Sequence, residues 1–234
     1  MYIFVFDMDG TITPSRGRID EDFRRFFLSF CIQNKVYIVS GSDLSRIEDQ
    51  LDMEIVRAVE GIFPCTGNEF WLKGRKVYRN NLTLTFHEVD IMQTLLTGSK
   101  FPLRTGAHIE RRSGMVNFSI VGRNANKSQR ASYIEWDRET NERFRIAKKI
   151  RTLLPRLDAS VAGETGIDVY LKGNDKGQIY PYIHEDDKQI VYFGDRCEEG
   201  GNDYPIAMMA DMYYNVQGWK ETERILKEVY HEYC

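Results

Sequence analysis

Residues 2–11 read Tyr-Ile-Phe-Val-Phe-Asp-Met-Asp-Gly-Thr, an apolar run that ends on the carboxylates Asp7 and Asp9. Five apolar residues in succession are typical of a strand buried on both faces, as in a parallel sheet. Side chains two apart on a strand point the same way, so Asp7 and Asp9 can converge at the strand's carboxyl end, where parallel sheets bind ligands. Two close carboxylates need a cation or a shared proton, and Mg²⁺ with a phosphate suits these oxygens. The alternative is a solvated Asp-Gly turn.

Two further apolar runs end on polar side chains, and a lysine lies between them in the chain. One run leads to Ser40 and the other to Asp195. Lys176 lies in Asn-Asp-Lys-Gly, and Asp203 closes the segment Gly-Gly-Asn-Asp. Together with Asp-x-Asp-Gly-Thr, these pieces resemble, in content and order, the motifs of the haloacid dehalogenase (HAD) superfamily of phosphotransferases.

This resemblance implies a role for each acidic and cationic side chain. Asp7 would be the nucleophile that becomes an aspartyl phosphate, and Asp9 would protonate the leaving group and later act as base. Ser40 and Lys176 would hold the phosphoryl oxygens through a hydrogen bond and a compact cation. The implied ligands of Mg²⁺ are Asp7, Asp195, Asp203 and Asp9, the last through its backbone carbonyl. Phosphoryl transfer requires this kind of positioning and charge neutralisation.

The order of predicted elements indicates an α/β fold, with a Rossmann-like parallel-sheet core and an inserted α+β cap. Strands and helices alternate at first, and Ser42 is a good N-cap for a helix over residues 43–51. The later elements differ in kind: a short helix over 87–96, strands over 106–112, 115–121 and 167–171, and one long charged helix over 127–154. We therefore predict a discontinuous core of residues 1–81 and 173–234 around a cap of residues 82–172.

The predicted cap narrows the resemblance to one family. Residues 107–123 read Ala-His-Ile-Glu-Arg-Arg-Ser-Gly-Met-Val-Asn-Phe-Ser-Ile-Val-Gly-Arg, which is similar to a motif of the eukaryotic-type phosphomannomutases. The likeness continues through residues 13–16, 126–130, 167–170 and 194–203. It implies that Arg112, Arg123 and Arg130 hold the distal phosphate of a sugar.

The same resemblance assigns a sugar-hydroxyl contact to Asp168 and a substrate contact from the core to Arg16. The residue types agree, because Arg forks grip phosphate through several donors and three of them in one cap would form a strong anion pocket. A mutase must hold one phosphate remotely while it transfers the other. The alternative for each arginine taken singly is a solvated surface charge.

The chain also departs from the family pattern. Gly166 stands where the family usually has a serine that contacts the ligand, and Arg111 replaces an aromatic residue. The region 207–212 lacks the spacing of a second cation site, for which Asp211 could partly substitute. These changes leave the phosphotransfer residues intact and affect the substrate side of the site.

Composition and charge agree with an enzyme of this kind. A chain of 234 residues with 42% hydrophobic residues can form one large domain or two modest ones. The net charge of −3 argues against a nucleic-acid partner, and no apolar run is long enough to span a membrane. Residues 82–172 carry 15 Lys and Arg against 10 Asp and Glu, while the remainder carries 17 against 25. The four cysteines form no ligand-like pattern, which indicates reduced thiols and a cytoplasmic protein.

The sequence therefore predicts a Mg²⁺-dependent phosphotransferase, specifically a phosphomannomutase that interconverts mannose 6-phosphate and mannose 1-phosphate through an aspartyl phosphate on Asp7. Such a mutase would use a hexose 1,6-bisphosphate as activator, and the family resemblance implies a homodimer formed through the cap. A HAD-type sugar-phosphate phosphatase, in which water attacks the aspartyl phosphate, is the second hypothesis. A non-enzymatic binding protein is the third.

Overall fold

Eleven strands form two separate sheets in residues 1–233, the part of the chain that the computed structural model describes. The strands are β1 (Tyr2–Phe6), β2 (Lys35–Val39), β3 (Gly61–Phe63), β4 (Glu69–Leu72), β5 (Arg75–Arg79), β6 (Ile109–Arg112), β7 (Met115–Phe118), β8 (Leu157–Ala162), β9 (Gly166–Leu171), β10 (Gln189–Gly194) and β11 (Met212–Asn215). The larger sheet has the order β11-β10-β1-β2-β3-β4-β5, and the smaller has the order β6-β7-β9-β8.

The helices divide between the two sheets. They are α1 (Glu21–Gln33), α2 (Leu44–Leu51), α3 (Met53–Ala58), α4 (Phe86–Thr97), α5 (Lys127–Thr140), α6 (Glu142–Leu153), α7 (Tyr180–Ile183), α8 (Tyr204–Ala207) and α9 (Trp219–Val229). No helix among residues 1–233 combines the length and the apolar character that crossing a membrane would require.

Strand β1 lies in the middle of the larger sheet and is buried on both faces. It pairs in parallel with β10 and with β2. On one face Phe4 and Phe6 contact Phe30 and Phe27 of α1 with ring centroids 4.8 and 5.1 Å apart. On the other face Ile3 and Val5 belong to a second apolar cluster. The predicted buried parallel strand is therefore present.

The smaller sheet is antiparallel throughout, and helices cover one of its faces. Val116 and Phe118 pack in a cluster with side chains from α4, α5 and α6. Because side chains alternate along a strand, Asn117 and its neighbour on β9, Asp168, point to the opposite face. That uncovered face is directed at the larger sheet, where Met115 joins Cys65 and Tyr170 in a small cluster.

The predicted single helix over residues 127–154 is wrong. The segment forms two helices, α5 and α6, separated at Asn141, which has φ 51°. Asn tolerates this left-handed conformation better than other residues with a side chain. The turn is stabilised by Asp137, whose carboxylate accepts hydrogen bonds from the backbone N–H of Arg143 at 2.7 Å and from its Nε at 2.8 Å.

The predicted N-cap of α2 is also wrong by one residue. Asp43 caps the helix, because its carboxylate accepts the backbone N–H of Arg46 at 3.0 Å. The hydroxyl of Ser42 instead donates to Asp9 at 3.3 Å. This shift moves Ser42 from the helix end to the catalytic edge of the sheet.

Candidate active site

The predicted catalytic residues meet at the carboxyl edge of the larger sheet. Asp7 follows β1, and its backbone N–H donates to the carbonyl of Phe193 on β10 at 2.8 Å. Gly10 has φ 87°, and a Cβ at that position would lie 2.6 Å from Oδ2 of Asp195. Only glycine allows the chain to turn so close to a second carboxylate. The Asp-Gly-Thr sequence therefore brings Asp7 and Asp195 together.

Three carboxylates form a compact acidic cluster. Asp7, Asp195 and Asp203 each place one oxygen so that all three oxygens lie within 4.8 Å of one another. The buried Lys176 donates to Asp7 and, at 2.6 Å, to Asp203. The hydroxyl of Tyr192 also donates to Asp203 at 2.6 Å. Several carboxylate oxygens at one small site are the ligands that Mg²⁺ prefers, so the donor set fits that ion.

The acidic cluster contains more negatively charged side chains than positively charged ones. Burial raises the pKa of Asp7 well above its usual value. Burial, together with the nearby Asp203, raises the pKa of Asp195 to about 7. Burial alone would lower the pKa of Lys176, but Asp203 and Asp7 outweigh it and raise that pKa. One lysine thus faces three carboxylates, and a divalent cation would stabilise their ionised forms.

The carboxylate of Asp9 is held apart from this cluster. Its oxygens accept hydrogen bonds from the backbone N–H of Arg16 at 2.6 Å, from Gln50 at 3.1 Å and from the hydroxyl of Ser42 at 3.3 Å. Three donors from three segments fix its orientation toward the cavity. The carboxylates of Asp9 and Asp7 therefore have different hydrogen-bond partners, as two carboxylates with different catalytic roles would require.

Ser40 lies at the end of β2 and is buried beside Asp7 and Asp9 in the same cavity. Its hydroxyl oxygen accepts the backbone N–H of Ser42 at 3.0 Å. Thr11 donates to Oδ2 of Asp7 at 3.3 Å. Ser40 therefore lines the cavity, whereas Thr11 is fully buried beside Asp7.

The three cap arginines predicted to bind phosphate point into the cavity from above. Arg112 donates to the carbonyl of Gly41 in the core and lies 3.3 Å from Glu110. Arg123 also pairs with Glu110. Arg130 pairs with Glu164 at 2.6 Å. The bond from Arg112 to Gly41 connects the cap directly to the core side of the cavity.

Asp168 lies beside these arginines and is almost fully buried. Its Oδ1 accepts from Nδ2 of Asn117 at 2.7 Å, whereas its Oδ2 has no hydrogen-bond partner among the described residues. Burial raises its pKa, although Arg112 and Asn117 oppose the shift. A buried oxygen without a partner is costly. A hydroxyl of a bound ligand could satisfy it.

One cavity between the sheets collects most of the predicted site residues. Asp7, Asp9, Arg16, Ser40, Arg112, Arg123, Arg130, Asp168 and Asp195 line it. Lys176 and Asp203 are fully buried behind Asp7. Further residues that the sequence did not indicate as site residues also line the cavity, among them Ser15, Ser42, Arg46, Asn117, Thr165 and Asn202. Asn117 lies in the motif of residues 107–123 and Asn202 in that of residues 194–203, so both could have been predicted as site residues from these motifs.

Asn117 occupies the space that a side chain at position 166 would need. A Cβ at Gly166 would lie 2.5 Å from Nδ2 of Asn117. Asn117 is held there because it donates to Asp168 at 2.7 Å and accepts from Arg123 at 3.0 Å. Asn117 thus links Asp168, a sugar-binding candidate, to Arg123, a phosphate-binding candidate.

This packing predicts that restoring the family residue is harmful here. Gly166→Ser should cost about 1–3 kcal/mol of unfolding free energy, because it overpacks a buried contact, and it should lower kcat/KM for sugar phosphates by displacing Asn117. Denaturant melts and steady-state kinetics would measure both effects. Asn117→Ala alone and Gly166→Ser/Asn117→Ala are the controls, and Gly166→Ser should cost less unfolding free energy in the Asn117→Ala background than in wild type. Full stability and activity in the single variant would contradict the packing argument.

The strand order, the acidic cluster and the inserted cap define a HAD-superfamily fold. An IMP-nucleotidase of Plasmodium falciparum aligns over 99% of this chain and 68% of its own, with a TM-score of 0.67 and 15% identity. A HAD subclass IIB sugar phosphatase aligns over 100% of both chains, with a TM-score of 0.57 and 14% identity. At these identities the likeness concerns the fold alone.

Sequence comparison gives the family. The model of the eukaryotic phosphomannomutase family matches residues 23–232. A phosphomannomutase of Drosophila melanogaster is 31% identical over 97% of this chain and 94% of its own length. A phosphomannomutase of Saccharomyces cerevisiae (strain ATCC 204508 / S288c) is 30% identical with the same coverage. The chain belongs to the eukaryotic phosphomannomutase family, and the predicted family and fold class are confirmed.

Asp211, the residue that could partly substitute in a second cation site, makes a contact with the backbone of β10. Its Oδ2 accepts the backbone N–H of Ile190 at 2.7 Å. Ile190 is near the start of β10, whereas Asp195 follows the end of the same strand. Asp211 therefore lies at the amino end of β10, whereas the acidic cluster lies at the carboxyl end of that strand.

Proposed function

We propose that this chain is a Mg²⁺-dependent phosphomannomutase that interconverts mannose 6-phosphate and mannose 1-phosphate through an aspartyl phosphate on Asp7. The observation that carries the proposal is the single cavity, which has Asp7 and Asp9 on its floor and Arg112, Arg123 and Arg130 in its roof. Membership of the family gives the reaction class. A phosphotransfer site at the floor and cationic side chains in the roof suit a sugar that carries phosphate at both ends during the catalytic cycle.

Mg²⁺ would be held by the carboxylates of Asp7, Asp195 and Asp203, and by the backbone carbonyl of Asp9. When bound, the ion would neutralise charge on the phosphoryl oxygens and keep the carboxylate of Asp7 ionised. The lysine beside the cluster, Lys176, would then be available to a phosphoryl oxygen as a positioned cation.

In the first step an oxygen of Asp7 attacks the phosphorus of a hexose 1,6-bisphosphate, the activator. The bond from phosphorus to the sugar oxygen breaks, and Asp9 gives that oxygen its proton. In the return step Asp9 takes the proton from the acceptor hydroxyl of mannose 6-phosphate, and that hydroxyl removes the phosphoryl group from Asp7. Ser40 donates a hydrogen bond to the transferring group throughout.

The distal phosphate of the sugar would be gripped by Arg112, Arg123 and Arg130, with Arg16 contacting the substrate from the core. Asp168 would accept a sugar hydroxyl through its unpartnered Oδ2. The bisphosphate intermediate must then present its other phosphate to Asp7, and the cap arginines can hold either end because both ends carry the same group. Binding energy at this remote phosphate is available to close the cap and exclude water.

The metal ligands can be tested without disturbing the fold. Asp195→Asn should lower the affinity for Mg²⁺ by about 100-fold or more, because one charged ligand of a compact site is lost. The side chain of Asp195 has only a 3.9 Å ion pair with Arg196, so the melting temperature without metal should not fall. Calorimetric titration with Mg²⁺ and thermal melts in EDTA would measure both. Unchanged Mg²⁺ affinity would exclude this carboxylate as a ligand.

A direct assay separates mutase from phosphatase. Interconversion of mannose 6-phosphate and mannose 1-phosphate is measured with and without hexose 1,6-bisphosphate, alongside release of inorganic phosphate. We expect isomerisation that depends on the bisphosphate and little free phosphate. Phosphate release without isomerisation and without activator would overturn the proposal in favour of a phosphatase. A homodimer formed through residues 82–172, these cap boundaries and a cytoplasmic location remain part of the proposal.

A further inference from the structure

Five arginines line the active-site cavity, and they differ in what they contact. They are Arg16, Arg46, Arg112, Arg123 and Arg130. The three from the cap are paired with Glu110 or Glu164. The guanidinium groups of the two core arginines have no hydrogen bond or ion pair with any of residues 1–233. The two core arginines therefore bring positive charge into the cavity that no direct ion pair within residues 1–233 neutralises, although Asp43 and Glu110 attract Arg46 over a longer distance.

We infer that Arg46 is a further phosphate-binding residue, which forms with Arg16 the core half of the site for the distal phosphate. The inference rests on the proposed function, since a phosphorylated sugar is the anion. It places the distal phosphate between cap and core, so that both parts of the molecule hold it.

The location of Arg46 in its helix supports this role. Asp43 caps α2, and Arg46 follows in the first turn with its backbone N–H bonded to that cap at 3.0 Å. The amino end of a helix carries partial positive charge and disfavours a cation by a few tenths of a kcal/mol or more. Arg46 makes no ion pair that would fix its guanidinium group, and only the more distant Asp43 and Glu110 attract it. An arginine that lines a cavity without a direct ion pair is available to bind an anion there.

The arginines lie close enough to act on one another. Burial and the charges of Arg123, Arg130, Arg46 and Arg112 together lower the pKa of Arg16 to about 10. Cap and core arginines therefore repel across the cavity when it holds no anion. A phosphate dianion between them would convert this repulsion into attraction and so favour the closed arrangement of cap and core.

The test uses binding, so that it does not depend on turnover. Hexose 1,6-bisphosphate is titrated calorimetrically, with Mg²⁺, into Asp7→Asn protein with and without Arg46→Gln. We expect Arg46→Gln to weaken binding by about tenfold or more, as the loss of a charge-assisted hydrogen bond would. Arg46→Lys should recover part of the loss. Arg57→Gln, an exposed arginine away from the cavity, is the matched control and should change the dissociation constant by less than about twofold.

A second readout excludes a merely structural role. Arg46→Gln should melt at the same temperature as the parent or higher, because it removes a cation from a helix amino end. In the background with Asp7 intact, it should slow phosphorylation by hexose 1,6-bisphosphate much more than phosphorylation by acetyl phosphate, which has no distal phosphate. Binding within about twofold of the parent, equal loss with both donors, or a clearly lower melting temperature would each overturn the inference. Absence of isomerisation in wild-type protein would instead refute the proposed function. The calorimetric titration would still decide whether Arg46 binds the bisphosphate.

Discussion

Replacing Asp7 with Asn is expected to lower turnover of mannose 6-phosphate by a factor on the order of 10⁴ or more. The amide cannot attack phosphorus as the carboxylate does. The fold should survive, because Lys176 keeps its 2.6 Å bond to Asp203 when Asp7 loses its charge. The coupled assay of isomerisation measures the loss, and circular dichroism with thermal melts measures the fold.

Asp90→Asn is a suitable control for this experiment. Asp90 is an exposed acidic residue of α4, so its replacement removes the same charge far from the site. We expect wild-type turnover from that control. Turnover within about tenfold of wild type in Asp7→Asn would show that the nucleophile has been wrongly assigned.

Lys176→Met is expected to have the largest effect on stability. The ammonium group is completely buried between Asp7 and Asp203. Removing one member of a buried ion pair leaves uncompensated charge and typically costs about 3–5 kcal/mol. We therefore expect the unfolding free energy in EDTA to fall by about this amount. In saturating Mg²⁺ the loss should be smaller, because the ion would neutralise the same carboxylates.

Urea unfolding of Lys176→Met with EDTA and with Mg²⁺ measures this difference. The matched control is Lys227→Met, since Lys227 forms a 2.7 Å ion pair with Glu223 on the surface. Surface pairs contribute little, so the control should unfold as wild type does with and without metal. An equal loss for Lys176→Met in both conditions would argue against a divalent cation at the acidic cluster.

The larger sheet was predictable where hydrophobic runs are long. After the first residue of each, strands β1, β2 and β10 have no polar or charged side chain except tyrosine hydroxyls, because both of their faces are covered, and a polar residue follows each strand at the same edge of the sheet. The helix α1 was predictable because its buried Phe23, Phe27 and Phe30 recur at helical spacing.

Shorter elements escaped prediction for physical reasons. Strand β3 has only three residues, too few for any periodicity to show. Strand β8, Leu157–Ala162, contains Asp158, Ser160 and small alanines, so its apolar content is low. The break at Asn141 depends on Asp137 reaching across the turn to Arg143, which is a tertiary contact that the helical pattern of charges does not reveal.

The site was predictable to the extent that its residues lie in contiguous motifs. The pairing of Asp7 with Asp195 follows from two strand ends at one edge of a parallel sheet. The separate environment of Asp9 did not follow, because its donor Gln50 lies 41 positions away along the chain. Arg46 was likewise missed, since a lone arginine on a helix is usually a solvated charge. Its proximity to the cap exists only in the folded chain.

The central claim is that Asp7 accepts the phosphoryl group at a site completed by Mg²⁺. A crystal structure of the protein with Mg²⁺ and beryllofluoride, which mimics an aspartyl phosphate, tests it most directly. The account predicts beryllium bonded to an oxygen of Asp7 and the metal ion between Asp7, Asp195 and Asp203. Beryllofluoride attached to any other side chain, or a metal ion bound away from these carboxylates, would contradict it.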